Sequence, residues 1–424
     1  MSASGLKTGQ PPVEQARSGA FKLTWRLLLI GIGALVLLLS VTRFFTGAVD
    51  LTSAGAINAA VALAVPIGLA GLGGLWSERA GVVNIGLEGM MILGTWAGAW
   101  GAIQFANPWM GVLAGAIGGA AGGLLHAVAT VTFGVDHIIS GVAITILGGG
   151  ITEFLSKVTF AEMPGGGDTQ SPPVPKPQVV SLPGIGEPLA ELESQRWFLI
   201  SDLAGILRGL TTNVSLFTIL AVLLVPLTFY VLWRTAFGLR LRSCGERPVA
   251  AESLGVNVYT YKYAAVVISG ALAGLGGAFL SLVASSAYRE GQTGGRGFIG
   301  LAAMIFGNWR PGGLAGGALL FGYTDGLQLR RGGESVHALL LLVAILIAAV
   351  AVYQLVRQQR TQAAIITGSA AVIVFAIFAL TDSVPGQFTS VTPHITTLLV
   401  LSLAAQRLRM PAADGLPYRK GQAK

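Results

Sequence analysis

The sequence predicts an all-α polytopic membrane protein, and three observations predict it. Hydrophobic residues make up 53% of the 424 positions and charged residues only 11%, against the roughly 25% charged of a soluble globular chain. Apolar runs about 20 residues long, enough to cross roughly 30 Å of hydrocarbon, recur along the whole chain. The net charge of +8 is gathered into short segments between those runs. Short basic loops of that kind mark the cytoplasmic side of a membrane protein, so the charge needs no nucleic-acid partner.

The first run, at 24–45, follows a polar tail (1–23) with Lys7, Arg17 and Lys22 against Glu14, and no small-residue cleavage site follows it. It reads as a retained span that starts in the cytoplasm. Further spans are predicted near 54–76, 82–103, 109–133, 137–158, 214–234, 262–284, 337–356, 362–381 and 392–408. That makes about ten transmembrane helices in one membrane domain, 24–408, with a C-terminal tail at 409–424. Two shorter apolar pieces, 297–308 and 312–328, are separated by Asn308-Trp309-Arg310-Pro311-Gly312 and read as one re-entrant hairpin entering from outside. With that hairpin, both termini, the loop 235–261 and Arg357/Arg360 fall inside, while 160–213 falls outside. Acidic 160–213 and basic 235–261 agree with that topology.

Residues 163–188 are rich in Pro and Gly and read as an irregular external loop, followed over 189–210 by a surface helix or a solvated segment. Glycine, at 60 residues about twice its ordinary usage, recurs every four positions at Gly111, Gly115, Gly119 and Gly123. Gly270/Gly274, Gly312/Gly316 and Gly313/Gly317 repeat the spacing. Such stripes let helix backbones approach closely in a membrane. The single cysteine, Cys244, cannot close an internal disulfide, and four histidines without ligand spacing predict no metal site.

Polar groups at membrane depth are costly, so they point to function. Residues 77–91, SERAGVVNIGLEGMM, place Glu78, Arg79, Asn84 and Glu88 between two apolar runs. Two readings stand: a broken helix, with Asn84, Gly86 and Glu88 in the break, whose freed backbone groups line a cavity or contact protein, or a short cytoplasmic turn with Glu78–Arg79 in water and Glu88 capping the next helix. His137 and Ser140 follow Asp136, a candidate helix cap, and are further path candidates. In the loop 235–261, Pro248 at a helix start and Gly255 past its end predict a short helix over roughly 247–254. So short a helix needs a partner surface; Ala250 and Ala251 would allow close approach, with Leu254 as the apolar anchor.

These segments carry a resemblance. SERAGVVNIGLEGMM (77–91), TAFGLRLRSCGERPVAAESLGVNV (235–258), GRGFIGLAAMIFGNWRPGGLAGGALLFG (295–322) and, more weakly, MPAADGLPYRKG (410–421) resemble the permease subunits of bacterial importers of the ATP-binding-cassette (ABC) class. The superfamily is that of branched-chain amino acid and monosaccharide permeases, and the likeness is greatest to its nucleoside branch. The resemblance implies an ABC importer permease fold in the bacterial plasma membrane. It implies a coupling helix built from Gly245, Glu246, Arg247, Pro248, Ala250, Ala251, Leu254 and Gly255, seated on a separate ATPase subunit. ATP and Mg would bind that ATPase and not this chain, which has no G-x-x-x-x-G-K-[ST] phosphate loop, so the chain itself is expected not to be an enzyme. A second related permease, an external substrate-binding lipoprotein and membrane lipid are the other implied partners. For a nucleoside, Asn84 and Glu88 would offer hydrogen bonds, with Phe306 or Trp309 stacking on the base near Asn308. Two extra helices within 332–390 depart from the family pattern.

Other readings are a sister-branch importer for a branched-chain amino acid or sugar, an ion-coupled transporter using Glu78/Glu88, and a membrane enzyme or scaffold. The coupling-helix motif disfavours the second, and no nucleophile–base pair supports the last.

Overall fold

A computed structural model of the chain describes residues 25–389 and 408–421. The expected tail at 1–23 and residues 392–407 of the last expected span lie outside the described residues. The chain runs as α1 (Trp25–Thr46), α2 (Ala54–Arg79), α3 (Leu87–Gln104), α4 (Pro108–Ala127) and α5 (His137–Thr159). A loop region follows with β1 (Val179–Val180), α6 (Gly186–Ser194), α7 (Ile200–Thr211) and β2 (Val214–Ser215). Then come α8 (Leu216–Arg234), α9 (Ala236–Glu246), α10 (Pro248–Ser253), α11 (Val258–Phe279), α12 (Arg296–Phe306), α13 (Pro311–Val356) and α14 (Thr361–Leu380). Among the described residues eight helices are long and apolar enough to cross a membrane.

Helix starts follow local chemistry. Ser53 accepts from the Ala56 N–H, Asn107 from Trp109 with Pro108 at the first helical position, and Asp136 from Ile138 and Ile139. Each side-chain oxygen satisfies a backbone donor that the first turn leaves without a partner.

The glycine stripes set the packing. Helix α3 lies against α4, α5 and α11, and α4 also lies against α11. A Cβ on Gly119 would fall inside the carbonyl oxygen of Gly270, and one on Gly274 inside that of Gly115. The backbones are therefore in contact, and each glycine is required by that approach. Gly313 and Gly317 likewise meet Gly307 and Ala303, whereas Gly312 and Gly316 have nothing within 4 Å. Only one of the two interleaved pairs on that helix is a packing stripe.

Both ends of the bundle are identifiable from contacts. At one end the buried Asp202 of α7 pairs with Arg43 at 3.0 Å and accepts from the Thr52 hydroxyl, and Arg330 meets Asp50. At the other, Gly245, Arg79, Trp309 and Ala413 converge. The segments expected outside and inside thus gather at opposite ends.

Three expectations are corrected. First, 189–210 is two helices, α6 and α7, interrupted at 195–199 where Arg196 and Leu199 take positive φ; α7 packs on α2, so it is part of the bundle's rim. Second, an eleven-residue helix, α9, precedes α10 in the loop 235–261. Third, the pieces 312–328 and 337–356 are one helix of 46 residues, because no proline interrupts 312–384 and Gly332-Gly333 remains helical. At 1.5 Å per residue it is about 69 Å long, more than twice a hydrocarbon core. Arg357 therefore lies at the far end of α13 from the Pro311 turn. Helix α14 folds back antiparallel on it, through Gln354–Thr367 and His337–Phe378 contacts.

Candidate functional site

The break between α2 and α3 is sealed by side chains from four helices. Gly81, at φ +81°, turns the chain out of α2. The Lys262 ammonium donates to its carbonyl at 3.1 Å, and the Ser77 hydroxyl donates to the Val82 carbonyl at 2.6 Å. Val83 is held by two histidines: its N–H donates to His137 Nδ1 at 3.2 Å, and its carbonyl faces His126 Nε2 at 3.0 Å. A carbonyl only accepts, so His126 Nε2 carries the proton, and its Nδ1 accepts from Ser140 at 2.8 Å. Asn84 is 0% exposed; it donates to Ser269 at 2.9 Å, and its Oδ1 has no partner. Gly86 opens α3 with Gly141 packed against it. Irregular backbone at membrane depth is tolerated only when protein satisfies it, as here.

Glu88 caps a helix, but not the one it starts. Its two oxygens accept the N–H groups of Gly295 at 2.9 Å and Gly297 at 2.7 Å, at the start of α12. An anion at a helix N-terminus is favoured by hydrogen bonding and the helix dipole.

The aromatic path candidates make contacts within the bundle. Trp309 is only 4% exposed. Its indole donates to Glu78 at 2.5 Å, and its carbonyl accepts from Arg79 at 2.7 Å and 3.2 Å. Phe306 packs on Phe321 with centroids 5.7 Å apart. Asn308 accepts from the Arg409 N–H at 2.7 Å, tying the C-terminal segment to the α12–α13 turn. No open ring face remains at Trp309 for a base; the residue joins α2 to that turn.

The short helix expected at 247–254 is α10, with Pro248 at its first turn and Gly255 at φ +83° just beyond. Leu254 is 85% exposed, and Ala250, Glu246, Arg247 and Gly255 are also exposed. Ala251 is instead buried with Cys244, Val258 and Tyr418, and Gly245 lies under the Arg79 carbonyl. These two anchor the loop to its own bundle, so the free face is narrower than the spacing suggested.

The segment 408–421 straps the two regions together. Ala413 donates to the Gly245 carbonyl at 2.8 Å, Gly421 donates to Glu252 at 3.3 Å, and Tyr418 packs on Tyr259. Asp414 is 8% exposed, and neither oxygen meets a donor among the described residues. Burial pushes its carboxyl up to about 7, beside Glu78 and partly offset by Lys262. Burial also pushes the Cys244 thiol up to about 11, which makes it unreactive.

Sequence reasoning missed His126, Lys262, Ser269 and Asp414. Lys262 and His126 carried a usable signal, as isolated polar residues inside apolar runs; Asp414 carried none.

The chain matches the family described as branched-chain amino acid transport system / permease component over residues 56–350. It is 32% identical over 373 residues to the guanosine ABC transporter permease protein NupQ of Bacillus subtilis, covering 86% of this chain and 97% of the relative. It is 33% identical over 366 residues to the nucleoside ABC transporter permease protein NupC of Lactococcus lactis, covering 84% and 94%. A putative glucose ABC transporter permease protein of Haloferax volcanii, TsgC13, is 37% identical over 278 residues, covering 66% and 78%. No solved structure matches the chain.

Proposed function

Because the chain belongs to the branched-chain amino acid transport system permease family, we propose that this multi-pass membrane protein is the translocating subunit of an ABC importer for nucleosides. The likeness to the guanosine and nucleoside permeases over more than four-fifths of the chain is the observation that carries the solute class. ATP with Mg binds a separate ATPase subunit, and a second permease and an external binding lipoprotein complete the importer. Both termini, with α9, α10 and the strap 408–421, face the cytoplasm of a bacterial cell.

The exposed Leu254 at the end of α10 supports docking of the ATPase there, since a six-residue helix with a free apolar tip requires a partner. Movement of α10 reaches the α2–α3 break by a short chain of contacts. It passes from Ala251 and Cys244 through Gly245 to the Arg79 carbonyl, and in parallel through the strap to Asp414 and Asn308. The break, held by hydrogen bonds and not by lipid, is the element with a second possible arrangement.

The likeness to a glucose permease favours a sugar as the second reading. Uptake of labelled guanosine, adenosine, glucose and leucine by cells with and without the gene separates them. Loss confined to nucleosides on deletion is the expected result; loss confined to glucose or leucine moves the solute to a sister branch.

A further inference from the structure

The bundle holds a cavity of about 230 Å³ between α3, α5 and the segment leading into α12. Its walls include Thr95 from α3, Thr152 and Glu153 from α5, and Arg289, Glu290 and Gln292. It is smaller than the several hundred Å³ of pockets for drug-sized ligands, and suits a solute of one or two rings.

The polar groups are sorted by role. Thr95 donates to the Met91 carbonyl at 2.7 Å and Thr152 to that of Gly148 at 2.8 Å, so both hydroxyl oxygens are left as acceptors. Glu153 lies near the C-terminal end of α5, and one of its oxygens pairs with Lys157, one turn further on, at 2.7 Å, which leaves its other oxygen as an acceptor. Gln292 is fixed by its Oε1, which accepts from the Ser285 hydroxyl at 3.1 Å and the Arg289 N–H at 3.2 Å. That assignment leaves Nε2 as a buried donor without a partner among the described residues.

The cavity also lies between the external loop and the helix break. On one side Glu290 donates to the Thr169 carbonyl and Ser171 to that of Tyr288. On the other, Glu88 grips Gly295 and Gly297, two and four residues past Thr293.

We propose that this cavity is a recognition site for the sugar hydroxyls of the transported solute, with Glu153, Thr95 and Thr152 accepting and Gln292 Nε2 donating. Acceptors from Glu153, Thr95 and Thr152 opposite a donor from Gln292, with the opposite charges of Arg289 and Glu290 on the same wall, suit a neutral ligand rich in O–H groups, as a ribosyl ring is. The inference rests on the importer reading and adds to it which face of the nucleoside the permease reads.

The test uses the complete importer, with ATPase, second permease and binding protein, in proteoliposomes. Uptake of adenosine is compared with that of 2′,3′-dideoxyadenosine. Glu153→Gln and Gln292→Leu are expected to raise the KM for adenosine about tenfold, the worth of one hydrogen bond to a charged or buried group. The dideoxy analogue's KM should stay within about twofold, so discrimination between the two solutes shrinks. A merely structural defect would affect both solutes alike. Thr152→Val, which removes one acceptor at nearly constant volume, carries the test if either variant fails to assemble. Unchanged discrimination in assembled variants overturns the cavity assignment alone, whereas a wild-type importer that carries no nucleoside overturns the importer reading with it.

Discussion

The carboxylate of Glu88, at the start of α3, accepts the backbone N–H of Gly297 at 2.7 Å, at the start of α12 and 209 positions away. A second bond to Gly295 makes the contact bidentate. A helix of 18 residues and one of 11 are thereby fastened at their N-termini, and the close approach leaves no room for a Cβ on Gly297.

Glu88→Ala should remove both bonds and leave the first turn of α12 without its cap. Hydrogen bonds to a charged group contribute about 1.5–3 kcal/mol each. The variant should melt well below wild type in detergent, with Glu88→Gln intermediate because it keeps an acceptor. An unchanged melting temperature for the Ala variant would return Glu88 to a role outside the fold.

Gly119→Leu should disrupt the α4–α11 contact, since a Cβ there already meets the Gly270 carbonyl. Overpacking of this kind costs about 1–3 kcal/mol or more, so folded yield in the membrane should fall sharply. Gly316→Leu, on a face with nothing within 4 Å, should be tolerated in the same measurement.

Leu254→Asp should leave the melting temperature within about 1 °C, because surface positions of this kind change stability little. Co-purification of the ATPase subunit should be lost. Ala251→Asp should do the reverse first, destabilising the loop, because Ala251 is packed against Cys244, Val258 and Tyr418. Retained co-purification with Leu254→Asp would move the ATPase contact away from α10.

Asp414 should make the strap sensitive to pH. Its folded carboxyl is raised from an ordinary 3.8 to about 7 by burial. Between those values the folded state binds the proton and the unfolded state does not, so stability falls as pH rises from about 4 to about 7 and is level above. Asp414→Asn should abolish that part of the slope and raise the melting temperature at pH 8 more than at pH 5. Equal shifts at both values would show that Asp414 is ionised throughout.

Much of this was legible along the chain. The Pro248…Gly255 spacing located α10 because caps and φ-positive glycines act within one turn. The four-residue glycine stripe located the close α4–α11 contact for a similar local reason. The helix break was visible too, as polar residues where a span should continue, but its character was not. Their sequence context points Asn84, Glu88 and Trp309 toward a solute, whereas their shortest hydrogen bonds reach partners 185, 209 and 231 positions away along the chain.

By itself the sequence determined a helical membrane protein, the approximate ends of most of its spans and the loop that presents α10, because hydropathy, capping and charge placement act over a few turns. Only the tertiary structure decided which polar groups are closed off and which remain open. It matched Val83 with two histidines, gave Glu88 to α12 and buried Trp309 on Glu78, while leaving Gln292 Nε2 without a partner among the described residues, beside a cavity. A buried polar group's role depends on whether a donor or acceptor from a distant helix reaches it, and that pairing is fixed by how the helices pack.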